Sequence, residues 1–178
     1  MKAFFAAVIV ALAALLASTV SAGAAVTSCT GVGVTSTNIS YGVCNSDQNG
    51  GAGSVSFADG GLTAVMSART QRGAQQVSAF WQSNGPVAAT DQICVSVRAS
   101  QLDLKGGGSL YGYLALSYDN AVHATTPTVV SGGDDVELCA PVPSGASNVW
   151  WQLLVVAGGD KPSSQVQAVV TLVNVRVA

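Results

Sequence analysis

Glycine-centred turn signals punctuate this chain at short intervals: Asn49-Gly50-Gly51, Asp59-Gly60-Gly61, Asn84-Gly85-Pro86, Gly106-Gly107-Gly108, Gly132-Gly133-Asp134, Pro143-Ser144-Gly145 and Gly158-Gly159-Asp160. That spacing leaves room for short strands and for no substantial helix. Strands are expected near 32–43, 53–58, 61–68, 75–83, 92–99, 109–118, 126–131, 135–142, 148–157 and 164–177. Composition points the same way. Charged residues make up 9% of the chain, against roughly 25% in an average globular protein. Glu137 is the sole glutamate, so strong helix formers are scarce while Val, Thr and Gly abound. An all-β, two-sheet antiparallel sandwich of about ten strands is the expected architecture.

The first twenty-two residues are laid out differently. Lys2 precedes an apolar run from Ala3 to Ala17 and then the small-residue sequence Val20-Ser21-Ala22, the pattern of a cleaved secretory signal. The run is shorter than the roughly 20 apolar residues of a membrane span. A leader at 1–22 and a single secreted domain at 23–178, extracellular or in a cell wall, are therefore expected, with no membrane span in the mature chain. Without Lys2 the basic residues are Arg69, Arg72, Arg98, Lys105, Lys161 and Arg176, against nine acids. Nothing here neutralises a run of phosphates, which argues against nucleic acid as a partner.

Cys29, Cys44, Cys94 and Cys139 in an oxidising compartment predict two disulfides. Sequence alone allows three pairings. The short 29–44 interval favours local closure, and Cys94 and Cys139 both lie inside apolar alternating runs, so 29–44 and 94–139 are the expected pairs. A zinc site lacks a CxxC pair, and His123 is the sole histidine, so no metal is expected there.

Alternation divides the clearest strands into two faces. Ile93, Val95 and Val97, then Leu110, Leu114 and Leu116, then Val149, Trp151, Leu153 and Val155, then Val166, Ala168 and Val170 should build the core. The opposite phase carries Ser96 and Arg98, Tyr111 and Tyr113, Trp150 and Gln152, Gln165 and Gln167. If these strands share a sheet, its outer face is aromatic and amide-rich. Such a face suits sugars, whose C–H groups stack on indole and phenol rings while amides, guanidinium and hydroxyls bond the ring substituents. Trp150, Tyr111, Tyr113, Gln152, Gln167 and Arg98 are the candidate ligand-binding residues, and a neutral polysaccharide or glycoconjugate the expected partner. Trp81, in Phe80-Trp81-Gln82-Ser83 just before a turn, is a second candidate platform, with core or sheet-edge packing its expected use.

The C-terminal order carries a resemblance. The strand ending Glu137-Leu138-Cys139-Ala140-Pro141-Val142-Pro143 is followed by Val149-Trp150-Trp151-Gln152-Leu153, a Gly158-Gly159 turn and Val169-Val170-Thr171-Leu172-Val173-Asn174-Val175-Arg176-Val177. Over about residues 90–178 this resembles the jelly-roll carbohydrate-binding modules, the galactose-binding-like sandwiches. The resemblance implies a jelly-roll fold and a lectin-like role. Asn174 stands where that family often has an acidic residue, which argues against a carried-over calcium site.

Enzymes are the rival class. His123 follows Asp119-Asn120-Ala121-Val122 without a G-x-S-x-G elbow, as an esterase would want. A glycosidase needs two facing carboxyls, and Asp134, Asp135 and Glu137 form the only acidic cluster. A non-enzyme is expected. Asn45-Ser46-Asp47-Gln48-Asn49-Gly50 offers the oxygens calcium takes, but not in the spacing of a calcium loop, so a polar turn is expected and no cofactor is required. Asn38-Ile39-Ser40 is the single N-glycosylation sequon and predicts exposure there. A third class is a structural or adhesive wall or coat protein without a discrete site, in which the low charge serves cohesion.

Overall fold

The computed structural model describes residues 28–46, 53–58, 62–69, 75–88, 91–119, 121–125, 127–159, 161 and 163–177. The expected leader and most of the oxygen-rich turn at 45–50 lie outside the described residues. The described residues form twelve strands: β1 (Ser28–Val34), β2 (Ile39–Ser46), β3 (Gly53–Ala58), β4 (Thr63–Arg69), β5 (Gln75–Ser83), β6 (Gln92–Lys105), β7 (Gly108–Tyr118), β8 (Ala121–Ala124), β9 (Thr128–Val129), β10 (Asp135–Pro141), β11 (Trp150–Gly159) and β12 (Gln165–Val177). The fold is an all-β jelly-roll sandwich of two antiparallel sheets. The larger sheet runs β1-β2-β5-β11-β7-β8, with β9 also on β7; the smaller runs β10-β6-β12-β4-β3. Among the described residues no helix is long and apolar enough to cross a membrane.

Two strand expectations need correction. The run expected at 32–43 is broken by a turn, because Thr35 N donates to the Ile39 carbonyl, Ile39 N donates to the Thr35 hydroxyl oxygen and Asn38 N to the Thr35 carbonyl, while Asn38 adopts a left-handed φ of 64°. A short polar side chain tolerates that conformation where a β-branched one does not. Likewise the strand expected at 126–131 shrinks to β9, and β8 pairs with β7 instead, after a turn in which Asp119 has φ 51°.

Between β5 and β12 the chain alternates sheets at several corners. At the β6–β7 corner Gly106 and Gly107 take φ values of 60° and 87°, and a Cβ on Gly106 would collide with the Ser163 backbone. Only glycine fits that corner without strain.

Each residue assigned to the core by alternation is buried between the sheets: Ile93, Val95 and Val97 on β6, Leu110, Leu114 and Leu116 on β7, Trp151, Leu153 and Val155 on β11, Val166, Ala168 and Val170 on β12, and Val149 just before β11. Trp81 belongs here too, fully buried on β5 and edge-on to Phe57 with centroids 5.9 Å apart. It is no ligand platform.

Cys94 and Cys139 face each other across β6 and β10 and are bonded, Cα atoms 4.1 Å apart. In the β1–β2 register Cys29 stands opposite Cys44; their side chains lie outside the described residues.

Candidate functional site

Charge is segregated between the sheets. The strands of the larger sheet contain no Asp, Glu, Lys or Arg, whereas Arg69, Arg98, Asp103, Lys105, Asp135, Glu137 and Arg176 all sit on strands of the smaller one. The larger sheet's outer face is therefore uncharged.

Register places side chains on that face in rows. Ser40, Gln82, Gln152 and Ala115 form one row across β2, β5, β11 and β7. Phe80, Leu154 and Tyr113 form the next, and Ser78, Val156 and Tyr111 the one beyond. Trp150 stands ahead of Gln152 on β11, opposite Ser117, and is half-buried. From Trp150 to Val156 the face runs about 20 Å at roughly 3.4 Å per residue, ample for several sugar units.

Phe80, Tyr113, Ala115, Leu154 and Val156 pack into one buried cluster with Tyr111 and Val122 against it. All seven lie on this one sheet. Beside them the Gln152 amide donates to Gln82 Oε1 at 3.0 Å. Gln152 is only 3% exposed, and its own Oε1 accepts no hydrogen bond among the described residues. A buried acceptor without a donor costs about 1–3 kcal/mol, and this one is shut off from solvent by the packing around it.

Burial pushes the Tyr113 phenol above its usual range, and Tyr111 adds to the effect. The hydroxyl remains a neutral donor and acceptor at neutral pH. The sign for stability follows directly. As pH rises through 10, the unfolded chain loses this proton first, so stability held below pH 10 falls above it. Melting followed from pH 8 to 11 should show an alkaline decline that Tyr113→Phe flattens; an identical decline in the variant would refute the assignment.

Of the six candidate residues, the structure brings Trp150, Gln152, Tyr111 and Tyr113 to one face. It does not bring Arg98 and Gln167 there. Both lie on the exterior of the smaller sheet, on β6 and β12. Arg98 forms a two-pronged ion pair with Asp135, Nε–Oδ1 2.6 Å and Nη2–Oδ2 3.0 Å, and Asp135 raises its already high pKa. Gln167 borders a hollow of about 400 Å³ with Gln101, Asp103 and Val65. Arg98→Ala and Gln167→Ala should accordingly leave any ligand binding on the larger sheet's face at the wild-type level in a polysaccharide pull-down, and a loss in either would move the site to the smaller sheet.

Sequence reasoning missed Gln82 and Phe80. The signal was present: Trp81 in the core phase sends its neighbours on β5 to the other face. The acidic cluster lies away from this face, with Asp135 on Arg98 and Glu137 3.4 Å from Arg176. His123 is exposed on β8 and stacked on Tyr118, centroids 4.2 Å apart.

No protein-family model matches the sequence, and no curated protein matches it. Among solved structures the chain is similar to the family 11 xylanase from Neocallimastix patriciarum, at 16% identity over 83% of this chain and 94% of that one, with a TM-score of 0.48. It is similar to a family 61 carbohydrate-binding module in complex with β-1,4-galactotriose, at 10% identity over 78% and 88%, TM-score 0.43. It is also similar to the C-terminal family 22 carbohydrate-binding module of Clostridium thermocellum Xyn10B, at 14% identity over 78% and 88%, TM-score 0.30. Carbohydrate-binding modules of sandwich fold are thus among the structures this chain is similar to, as the resemblance of residues 90–178 anticipated.

Proposed function

We propose that this protein is a secreted, non-catalytic, lectin-like module that binds a neutral glycan on the outer face of its larger sheet. The observation that carries the reading is the coincidence of aromatic rings with a buried amide pair, one of whose acceptors has no partner, on a sheet whose strands carry no charged residue. The half-buried Trp150 and Tyr111 supply the ring surface, Tyr113 packs against Tyr111 in the buried cluster, and Gln152, held by Gln82, accepts a hydrogen bond from a ligand hydroxyl once the side chains over it part. A neutral ligand is favoured because a carboxylate or phosphate would find no cation on these strands to offset its desolvation. Two carboxyls placed for glycoside cleavage would have to come from outside these strands, which supports binding over hydrolysis.

The rival structural or adhesive reading draws on the same uncharged sheet, since the half-buried Trp150 and Tyr111 would equally meet a second protein surface. One experiment separates them. The purified protein is mixed with insoluble cellulose, chitin, xylan and starch, and its mass in solution is followed by light scattering. Retention on one polymer by a monomer supports the module. Self-association with no retention on any polymer overturns it.

A further inference from the structure

At one end of the sandwich a surface cavity of about 440 Å³ opens between the β1–β2 turn, the segment after β5 and the late part of β12. Leu62 and Val173 line it and are 37% and 42% exposed, so apolar surface there stands open to water. Asn38 is on the same lining, in its left-handed conformation and exposed. Its Oδ1 accepts from Asn84 Nδ2 at 3.0 Å. Two residues on, the buried Ser40 hydroxyl donates to Asn84 Oδ1 at 2.9 Å. Both polar members of the sequon Asn38-Ile39-Ser40 are thus fastened to one residue. The bond to Asn38 engages its oxygen, whereas an N-linked sugar is carried by Nδ2, so attachment leaves the bond intact.

We propose that Asn38 is N-glycosylated and that the first N-acetylglucosamine packs over this cavity, its C–H face against Leu62 and Val173. In the attachment step Asn38 Nδ2 bonds to the anomeric carbon of a lipid-pyrophosphate-linked oligosaccharide. The C1–O bond breaks, the lipid pyrophosphate leaves with the electron pair, and the amide loses one proton. The seated sugar converts exposed apolar surface into covered surface at the place where the β1–β2 turn meets the end of β5. The cavity lining includes none of Trp150, Gln152, Tyr111 or Tyr113, so this inference stands apart from the binding face.

The test is secretion of the full chain from yeast, with intact mass and peptide mapping, beside unmodified protein from bacteria. Asn38 is expected to carry glycan. Trimming by an endoglycosidase that leaves one N-acetylglucosamine should preserve a melting temperature raised by about 2–4 °C over the unmodified protein. A Leu62→Ser/Val173→Ser variant alters exposed side chains only; it should stay glycosylated and lose the gain. An unmodified Asn38 in the secreted protein overturns the site. A trimmed protein that melts with the unmodified one, or a double variant that keeps the gain, overturns the seat.

Discussion

Trp150→Ala is expected to weaken binding to a neutral polysaccharide about tenfold or more, with the fold retained by circular dichroism. Tenfold corresponds to about 1.4 kcal/mol, within reach of an indole ring that stacks on a sugar and shields its C–H groups from water. The position suits the experiment because Trp150 is half-buried at the start of β11. Its neighbour Trp151, on the inner face, carries the core contacts instead. Tyr113 is a poorer choice for truncation. It is buried with Phe80, Leu154 and Val156, and removing an aromatic side chain from such packing costs about 3–5 kcal/mol in its own right. Tyr113→Phe isolates the hydroxyl. Depletion isotherms would measure both variants, and wild-type affinity in Trp150→Ala would remove the ring from the site.

Cys94→Ala/Cys139→Ala is expected to cost about 2–4 kcal/mol of folding stability. The melting temperature should fall on the order of 10 °C. The two cysteines are 45 residues apart in sequence, so the bond closes a long loop. It also fastens β10, an edge strand whose sheet neighbour is β6 alone. The bond lies on the outer side of that sheet, beside Arg176, whose Nη2 is 3.3 Å from Cys94 Sγ. Affinity for polysaccharide, which the proposed function assigns to the other sheet, should be unchanged below the new melting point. Urea unfolding with and without reductant gives the comparison, and coincident curves for wild type and variant would refute the stated contribution.

Much of this architecture was legible because period-2 alternation is a direct physical signal. Trp151, Leu153 and Val155 could only point one way if β11 lay on a core, and they do. The 94–139 bond was legible for a related reason, since both cysteines sit within strong strand patterns. What alternation cannot convey is which strands share a sheet. Arg98 and Gln167 have the same outward phase as Trp150 and Gln152, yet β6 and β12 belong to the opposite layer, and phase alone merged two exteriors into one. The break at Thr35–Asn38 was hidden by flanking valine and isoleucine, although a run of Thr, Ser, Thr and Asn is itself turn chemistry. Phe80 and Gln82 escaped notice because Phe80 and Trp81 are adjacent, so β5 is apolar on both sides and its alternation is blurred.

The two exteriors differ in how water holds them. One is solvated through ion pairs such as Arg98 with Asp135 and Lys105 with Asp103; the other packs its amides and rings against one another and leaves water little to hold. A particle built this way has an intrinsic polarity of orientation at any uncharged solid. Seated by the proposed face, every adsorbed copy would turn its ionic side to the liquid. A neutral fibre coated that way would present ion pairs to the liquid, and forces between coated fibres would weaken as added salt screens them.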